Sequence, residues 1–193
     1  TLPPHHALEE KIAEWKGTQA ALSFANGYAT AIGVLGAFLT KGDVVILDKL
    51  CHASLIDGAR QSGATLRVYP HNDLNKLEDL LRHYRERLAG SSRLIVVTES
   101  IFSMDGDRAP LPEIINLVEQ HHALLLLDEA HAVGILGSGG QGLAEELGIQ
   151  DRVTFQMGSL GKAIGSGGGY VAASRSWIDL LLNKARPFIY STA

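Results

Sequence analysis

The chain has 193 residues, enough for one sizeable α/β domain with its own core. Hydrophobic residues make up 46% and charged residues 20%, which is typical of a globular protein, and the net charge of −4 gives no electrostatic reason to expect nucleic acid or an anionic membrane as a partner. No apolar stretch approaches the roughly 20 residues that span a bilayer, and a single cysteine, Cys51, rules out an internal disulfide and favours a reducing, cytoplasmic location.

Hydrophobic periodicity predicts helices and strands that alternate along the whole chain. The predicted helices span residues 6–15, 29–39, 54–62, 74–88, 111–121 and 177–185. The predicted strands span residues 20–24, 44–47, 65–69, 94–98, 124–127, 153–157 and 170–173. Because helices separate the strands, the sequence predicts a three-layer α/β/α fold with a mostly parallel, seven-stranded sheet.

The most informative feature is an acid at the end of one predicted strand and a lysine downstream of it. Asp128 ends the apolar run 124–127, so it lies at the edge of the sheet where α/β folds bind ligands. Lys162 follows 34 positions later in a loop of small residues that can reach the same crevice, and its apolar neighbours indicate shielding from water. An acid for a pyridinium nitrogen and an imine-forming lysine are the minimum protein chemistry for pyridoxal phosphate (PLP).

Two glycine-containing segments suggest how such a cofactor is held. Asn26-Gly27-Tyr28 joins a predicted strand to a helix, where free backbone N–H groups and the helix dipole suit a phosphate; an ordinary turn is the alternative. Residues 158–169 include six glycines, which predicts that the backbone approaches a flat ligand closely. No GxGxxG motif opens a helix near the chain start, so a Rossmann nucleotide site has little support.

The loops after two other predicted strands supply further polar side chains. His52 lies in a position to stack on an aromatic cofactor or to accept a proton, while Ser54 is the predicted N-cap of the next helix. Residues 99–107 bring hydroxyls and acids to the same edge of the sheet, although the pair Asp105-Gly106 also suits a simple turn.

Residues 128–131 spell the DEAH box of a helicase, but the rest of the chain does not support an NTPase. The Gly161-Lys162 pair is followed by Ala163, which has no hydroxyl for magnesium, and it comes after the acidic motif rather than before it. The other interpretation of Asp128 and His131 is a turn cap and an ordinary loop histidine. The remaining histidines show no metal-ligand spacing and no GxSxG elbow is present, so neither a metal site nor a hydrolase triad is predicted.

These motifs together resemble the α-oxoamine synthases, fold-type I PLP enzymes of the broad aminotransferase class I/II group. The resemblance covers essentially the whole chain, and the joint order and spacing of the motifs make it specific. Asn26 departs from the Ser or Cys that relatives often carry at this position, which affects only the detail of the phosphate cup. The matching segments are residues 6–10, 24–28, 52–58, 102–106, 128–131 and 161–163.

The resemblance implies three catalytic residues. Lys162 binds the cofactor covalently and later moves the α-proton of the substrate. Asp128 pairs with the pyridinium nitrogen and keeps it protonated, which is consistent with the effect of a nearby carboxylate on the pKa of a ring nitrogen. His52 stacks on the pyridine ring.

The remaining cofactor contacts follow from the same resemblance. Ser103 and His131 contact the ring hydroxyl, and Gly27 and Tyr28 offer backbone N–H groups to the phosphate. Ser159 stands where the family usually has Thr, and because a hydroxyl is kept, its contact with the phosphate is retained in the prediction.

The resemblance also implies a reaction, the decarboxylating condensation of an amino acid with an acyl-CoA. Residues 69–73 and 182–192 look most like the members that convert L-alanine and pimeloyl-CoA to 8-amino-7-oxononanoate in biotin biosynthesis. The sequence resembles glycine C-acetyltransferase almost as well, and serine palmitoyltransferase is a further alternative. A cofactor-free scaffolding relative is the non-enzyme alternative, against which the intact Lys162, Asp128 and His52 argue.

The subunits of this family are longer than this chain. Residues 1–193 are therefore expected to form the PLP-binding large domain, with an N-terminal arm and a C-terminal small domain outside the sequence. The arginine that binds the substrate carboxylate would lie outside as well. A homodimer with the active site at its interface is also implied.

Overall fold

The structure is a computed structural model that describes residues 2–88 and 90–191, so Thr192, which ends one of the segments compared above, lies outside the described residues. The helices are α1 (Pro3–Trp15), α2 (Gly27–Phe38), α3 (Ala53–Gln61), α4 (Leu74–Arg85), α5 (Leu111–Gln120), α6 (Leu143–Glu146), α7 (Arg175–Lys184) and α8 (Arg186–Ile189). The strands are β1 (Ala20–Phe24), β2 (Val44–Asp48), β3 (Thr65–Tyr69), β4 (Leu94–Glu99), β5 (Leu124–Asp128), β6 (Phe155–Ser159) and β7 (Gly169–Ala173).

The strands form one sheet in the order β1-β7-β6-β5-β4-β2-β3. The pairs from β6 through β3 are parallel, and β7 runs antiparallel to both of its neighbours, β1 and β6. Parallel pairs require a crossover between strands, and here helices provide the connections β2–α3–β3, β3–α4–β4 and β4–α5–β5. The predicted three-layer α/β/α fold with a mostly parallel, seven-stranded sheet is confirmed.

Apolar residues alternate between the two faces of the central strands and so fill two cores. On β2 and β4, Val45, Leu47, Ile95 and Val97 pack on the side of α2, α3 and α7. Their neighbours in sequence pack on the opposite side, against α4 and α5. Strands covered on both faces contain almost no polar residues, and this is why the polar residues that do occur mark the strand ends.

A buried ion pair joins the end of α1 to the residue after β5. The Nζ of Lys16 lies 2.7 Å from Oε2 of Glu129 and 2.5 Å from the carbonyl oxygen of Gln141, and the two charged side chains are 1% and 0% exposed. The other carboxylate oxygen of Glu129 accepts a hydrogen bond from the N–H of Ala144. Glu129 is therefore engaged inside the protein, whereas Asp128 faces the cavity described below.

The structure corrects two local predictions. The N-cap of α3 is His52 and not Ser54, because His52 keeps an extended conformation (φ −54°, ψ 144°) and its ring accepts a hydrogen bond from the N–H of Ser54. Strand β6 ends at Ser159 and not at Met157, because Gly158 and Ser159 pair with β7. The sequence did not predict the short helices α6 and α8, because four residues are too few to show the hydrophobic period of a helix.

Among the described residues, no helix combines the length and the apolar character that crossing a membrane requires.

Candidate active site

A cavity of about 200 Å³ opens at the carboxyl ends of the parallel strands, where α/β folds bind ligands. Its walls come from the start of α2, the start of α3, the ends of β4, β5 and β6, and the loops that follow β5 and β6. The lining residues are Gly27, Tyr28, His52, Ser54, Glu99, Asp128, Ala130, His131, Met157, Gly158, Ser159 and Lys162. The structure thus brings every predicted site residue except Ser103 to one cavity.

Asp128 ends β5 and brings a buried carboxyl to the cavity. The residue is 6% exposed, and its Oδ1 accepts a hydrogen bond of 2.9 Å from the N–H of Ala130. Burial raises the pKa of this carboxyl above its ordinary value, although the N–H of Ala130 and the nearby Lys162 and His52 act in the opposite direction. A cation placed against Asp128 would offset the cost of keeping its charge buried, so this end of the cavity suits a protonated ring nitrogen.

Lys162 and His131 contact each other at the mouth of the cavity. The Nζ of Lys162 lies 2.6 Å from Nε2 of His131. Burial, then the charges of Lys162 and His52, lower the pKa of the His131 imidazole, so this ring is neutral at pH 7. A neutral imidazole with its proton on Nδ1 accepts a hydrogen bond from the lysine at Nε2, and this contact holds the amine beside a group that is able to carry a proton.

The start of α2 offers donors for an anion. Asn26 is the N-cap: its side chain accepts from the N–H of Ala29 at 2.8 Å, and its carbonyl accepts from the N–H of Thr30 at 3.1 Å. Within the described chain this leaves the N–H groups of Gly27 and Tyr28 without partners at the positive end of a 12-residue helix.

The end of β6 faces this helix start. A Cβ added at Gly27 would lie 3.7 Å from Cβ of Ser159 and 3.8 Å from its hydroxyl oxygen. The Ser159 hydroxyl itself accepts a hydrogen bond from the N–H of Gly161. Two free N–H groups and this hydroxyl therefore converge, which is the arrangement expected for a phosphate.

His52 presents its ring to the cavity from the start of α3. Its Nδ1 lies 2.8 Å from Oγ of Ser54 and accepts from the N–H of Ser54 at 3.2 Å, so this nitrogen is engaged with the helix start. The backbone N–H of His52 donates to Oε1 of Glu99 at 2.5 Å. The ring is thus held by Ser54 and the backbone of His52 by Glu99.

Ser103 lies on the exposed loop after β4, outside the cavity lining. That loop closes on itself, since the N–H of Gly106 donates to the carbonyl of Phe102 at 2.8 Å, and Gly106 has a positive φ of 72°. The turn at Asp105-Gly106 is confirmed, and the contact of Ser103 with a cofactor stays a prediction.

Glu99 belongs to the segment 99–107 that was expected to bring acids to this edge of the sheet, but it was not among the predicted site residues. It ends β4 and is 2% exposed. Burial and then the charge of Asp128 raise the pKa of its carboxyl to about 7, while the N–H of His52, the charge of Lys162 and the N–H of Ser103 lower it. The signal that could have found it is the one that found Asp128, a carboxylate that closes an apolar strand.

Two glycines of the segment 158–169 permit close protein packing. A Cβ at Gly169 would lie 2.4 Å from Oγ1 of Thr30, and one at Gly158, which also lines the cavity, would lie 2.6 Å from the hydroxyl of Tyr170. The predicted shielding of Lys162 is wrong for this chain, because residues 161–167 are all exposed. Apolar neighbours in a short loop do not bury a side chain unless another element covers them.

The fold and the cavity define a class of protein, a three-layer α/β/α domain whose ligand site lies at the carboxyl ends of parallel strands. Within that class, the model of the family "Aminotransferase class I and II" matches residues 1–193, and the chain belongs to this family.

Individual relatives agree with this assignment. The chain is 53% identical over 192 residues to the 8-amino-7-oxononanoate synthase of Anaeromyxobacter dehalogenans (strain 2CP-C), which covers 100% of this chain and 47% of that protein. It spans about half the length of the curated relatives it matches. A high-resolution structure of SPT (serine palmitoyltransferase) with PLP has a TM-score of 0.92 and 33% identity, covering 100% of this chain and 48% of the other. An 8-amino-7-oxononanoate synthase from Francisella tularensis has a TM-score of 0.85 and 28% identity, covering 100% and 54%.

Proposed function

We propose that this chain is the cofactor-binding part of a PLP-dependent enzyme that condenses L-alanine with pimeloyl-CoA, with loss of CO2, to give 8-amino-7-oxononanoate. The observation that carries the proposal is the convergence of Asp128, Lys162 and His52 on one cavity next to the anion site at the start of α2. The solved SPT with PLP, which shares this fold, supports the choice of cofactor. The names of the relatives at 47–53% identity support the choice of product.

The residues present fit the cofactor. The N–H groups of Gly27 and Tyr28 and the hydroxyl of Ser159 would hold its phosphate, because they converge at a helix N-terminus. Asp128 would pair with the ring nitrogen, since its buried carboxyl needs a cation. When bound, PLP supplies an electron sink for the carbanion that forms when a bond to the α-carbon of the amino acid breaks.

The chain's own residues would then orient the cofactor and move protons. His52 would stack on the ring, and Ser103 and His131 would contact its hydroxyl. Lys162 would attach the cofactor and transfer the α-proton of the amino acid. Its contact with the neutral imidazole of His131 supports this role, because the hydrogen bond holds the amine in place at the cavity.

A second candidate reaction uses serine and palmitoyl-CoA. Its support is the backbone similarity to serine palmitoyltransferases, with TM-scores of 0.92–0.93 at 32–34% identity, above the 0.85 of the 8-amino-7-oxononanoate synthase structure. Overall sequence identity favours the first candidate. The chain spans about half the length of the relatives of both kinds, so an assay on the full-length protein has to separate the two.

The test is a CoA-release assay on the full-length protein. It crosses L-alanine, glycine and L-serine with acetyl-, pimeloyl- and palmitoyl-CoA, with and without added PLP. We expect PLP-dependent release that is fastest with L-alanine and pimeloyl-CoA and absent in Lys162→Ala. If CoA is released fastest with another pair of substrates, the protein catalyses the corresponding reaction of another member of the family. If no pair releases CoA and PLP does not bind, the scaffolding alternative is supported.

The proposal extends to the assembly and location of the protein. We propose that residues 1–193 act as the large domain of a homodimer with the active site at its interface. The exposed apolar side chains of Tyr28 and Ile164 at or beside the cavity suit coverage by a second subunit. A cytoplasmic location agrees with Cys51 being a buried free thiol. Sedimentation equilibrium of the full-length protein tests the dimer.

A further inference from the structure

Glu99 is a buried acid that lines the cavity next to Asp128. It ends β4 as Asp128 ends β5, and the two residues are register partners in adjacent parallel strands. Register partners leave the sheet on the same face, and both residues line the cavity. Two buried carboxyls therefore stand side by side at the edge of the sheet.

The Glu99 carboxylate holds the loop between β2 and α3. Its Oε1 accepts the backbone N–H of His52 at 2.5 Å, on the loop between β2 and α3. The backbone N–H of Ser103, on the loop after β4, also favours the ionised carboxylate. These are the loops that carry the proposed ring-stacking residue and one of the proposed contacts of the ring hydroxyl.

Burial and two nearby charges act on the Glu99 carboxyl. Burial opposes its ionisation most strongly, Asp128 on β5 also opposes it, and Lys162 on the loop after β6 favours it. A neutral side-chain amide would avoid this electrostatic cost, but a hydrogen bond from a backbone N–H to a charged carboxylate is the stronger one. The bond from the N–H of His52 therefore gives a reason for an acid at this position despite the neighbouring Asp128.

We propose that Glu99 is a positioning residue for the cofactor, which fixes the loop of His52 so that the imidazole is held against the ring. This inference rests on the proposed function, because it assumes that PLP binds in the cavity. Glu99 has no assigned contact with the substrate or the reacting atoms, and it acts through the backbone of His52, which it holds.

The test measures PLP binding to the full-length apoprotein, in two readouts. The first is the dissociation constant of PLP from an absorbance titration, and the second is the circular dichroism of bound PLP, which reports how firmly the ring is held in one orientation. Losing hydrogen bonds to a charged group corresponds to roughly 10–100-fold in affinity, so we expect Glu99→Ala to weaken PLP by about that factor and to reduce the dichroism per bound PLP. Glu99→Gln keeps one accepting oxygen and should lose only about three- to tenfold.

The matched control is Asp43→Ala. Asp43 is also a buried acid, 3% exposed, and it accepts hydrogen bonds of 2.7 Å from the backbone N–H groups of Thr40 and Arg93, but it lies just before β2, at the opposite edge of the sheet. This variant should lose thermal stability while its affinity for PLP stays within about twofold of wild type, a difference near experimental error.

The outcomes separate this inference from the proposed function. If wild-type protein fails to bind PLP, the proposed function fails and the role of Glu99 fails with it. If wild type binds PLP but Glu99→Ala binds it with unchanged affinity and dichroism, only the positioning role is overturned. The same holds if Asp43→Ala weakens PLP as much as Glu99→Ala, because the loss would then reflect stability alone. Should Glu99→Ala fail to fold, an unchanged affinity in the isosteric Glu99→Gln overturns the inference.

Discussion

Replacing Lys16 with methionine should destabilise the protein far more than replacing a lysine in an exposed ion pair of the same length. Lys16 and Glu129 are 2.7 Å apart with side chains 1% and 0% exposed, whereas Lys11 and Glu14 are also 2.7 Å apart with side chains 79% and 73% exposed. The two ion pairs therefore have the same length and differ in burial. Methionine fills a similar volume without a charge, so Lys16→Met isolates the electrostatic change.

The loss of stability expected for Lys16→Met follows from the partners that Glu129 keeps after the substitution. It retains the N–H of Ala144 as a donor but loses the cation it is paired with, while the carbonyl of Gln141 loses a donor as well. Removing one partner of a buried ion pair costs about 3–5 kcal/mol, because the other charge is left uncompensated away from water. An exposed pair is worth about 0.2–1 kcal/mol, so Lys11→Met should change the free energy of unfolding by no more than that.

Urea unfolding of the full-length protein at pH 7, followed by far-ultraviolet circular dichroism, measures both variants. The double variant Lys16→Met with Glu129→Gln removes both charges and keeps an acceptor for Ala144, so it should recover at least about 1 kcal/mol of the loss seen with Lys16→Met alone. A loss below about 1 kcal/mol for Lys16→Met, or a double variant no more stable than the single one, would refute the reasoning.

Three further predictions concern the site and its surroundings. Lys162→Ala should abolish the cofactor adduct trapped by borohydride and leave the fold of the apoprotein intact by far-ultraviolet circular dichroism, because residues 161–167 are exposed in this chain; a reducible adduct on another lysine would contradict this assignment. Asp128→Asn should lower kcat by roughly 10²–10³ with little change in KM, since its charge matters most in the transition state, and near-native kcat would exclude that role. Burial lowers the pKa of His71, but hydrogen bonds to Asp48 and Asp107 outweigh it and raise the pKa overall. The stability that His71→Gln removes should therefore be largest below about pH 6.5 and vanish as the pH rises through the raised pKa; a loss in urea unfolding that is constant from about pH 5 to 9 would be inconsistent with this.

The positions of the strands and the identity of the principal site residues could be predicted because their signals are local. A strand covered on both faces needs a continuous apolar run, so β4 and β5 are visible in the sequence, and a polar residue at the end of such a run marks the edge of the sheet. Asp128 was found in this way. Gly27 was found because a strand followed by Asn-Gly and a helix indicates a helix N-terminus with free donors.

The remaining features depend on contacts between residues far apart in the chain. The Lys162–His131 contact joins residues 31 positions apart, and the Glu99–His52 hydrogen bond joins residues 47 positions apart. The first forms only once β5 and β6 lie side by side, and the second only once β2 and β4 do. The exposure of Lys162 was likewise decided by packing, because residues next to it in sequence are not the ones that would cover it.

The chain after Met157 shows most directly which features follow from the sequence and which from tertiary structure. Glycines in the sequence indicated a loop there, and single-residue preferences carry no more information than that. In the folded chain, Gly158 and Ser159 are the last residues of β6 because the antiparallel strand β7 pairs with them, and Gly158 has no side chain because Tyr170 packs against it. The sequence by itself determined which residue types were available for the chemistry, and the pairing of distant strands decided which of them lie within reach of one another.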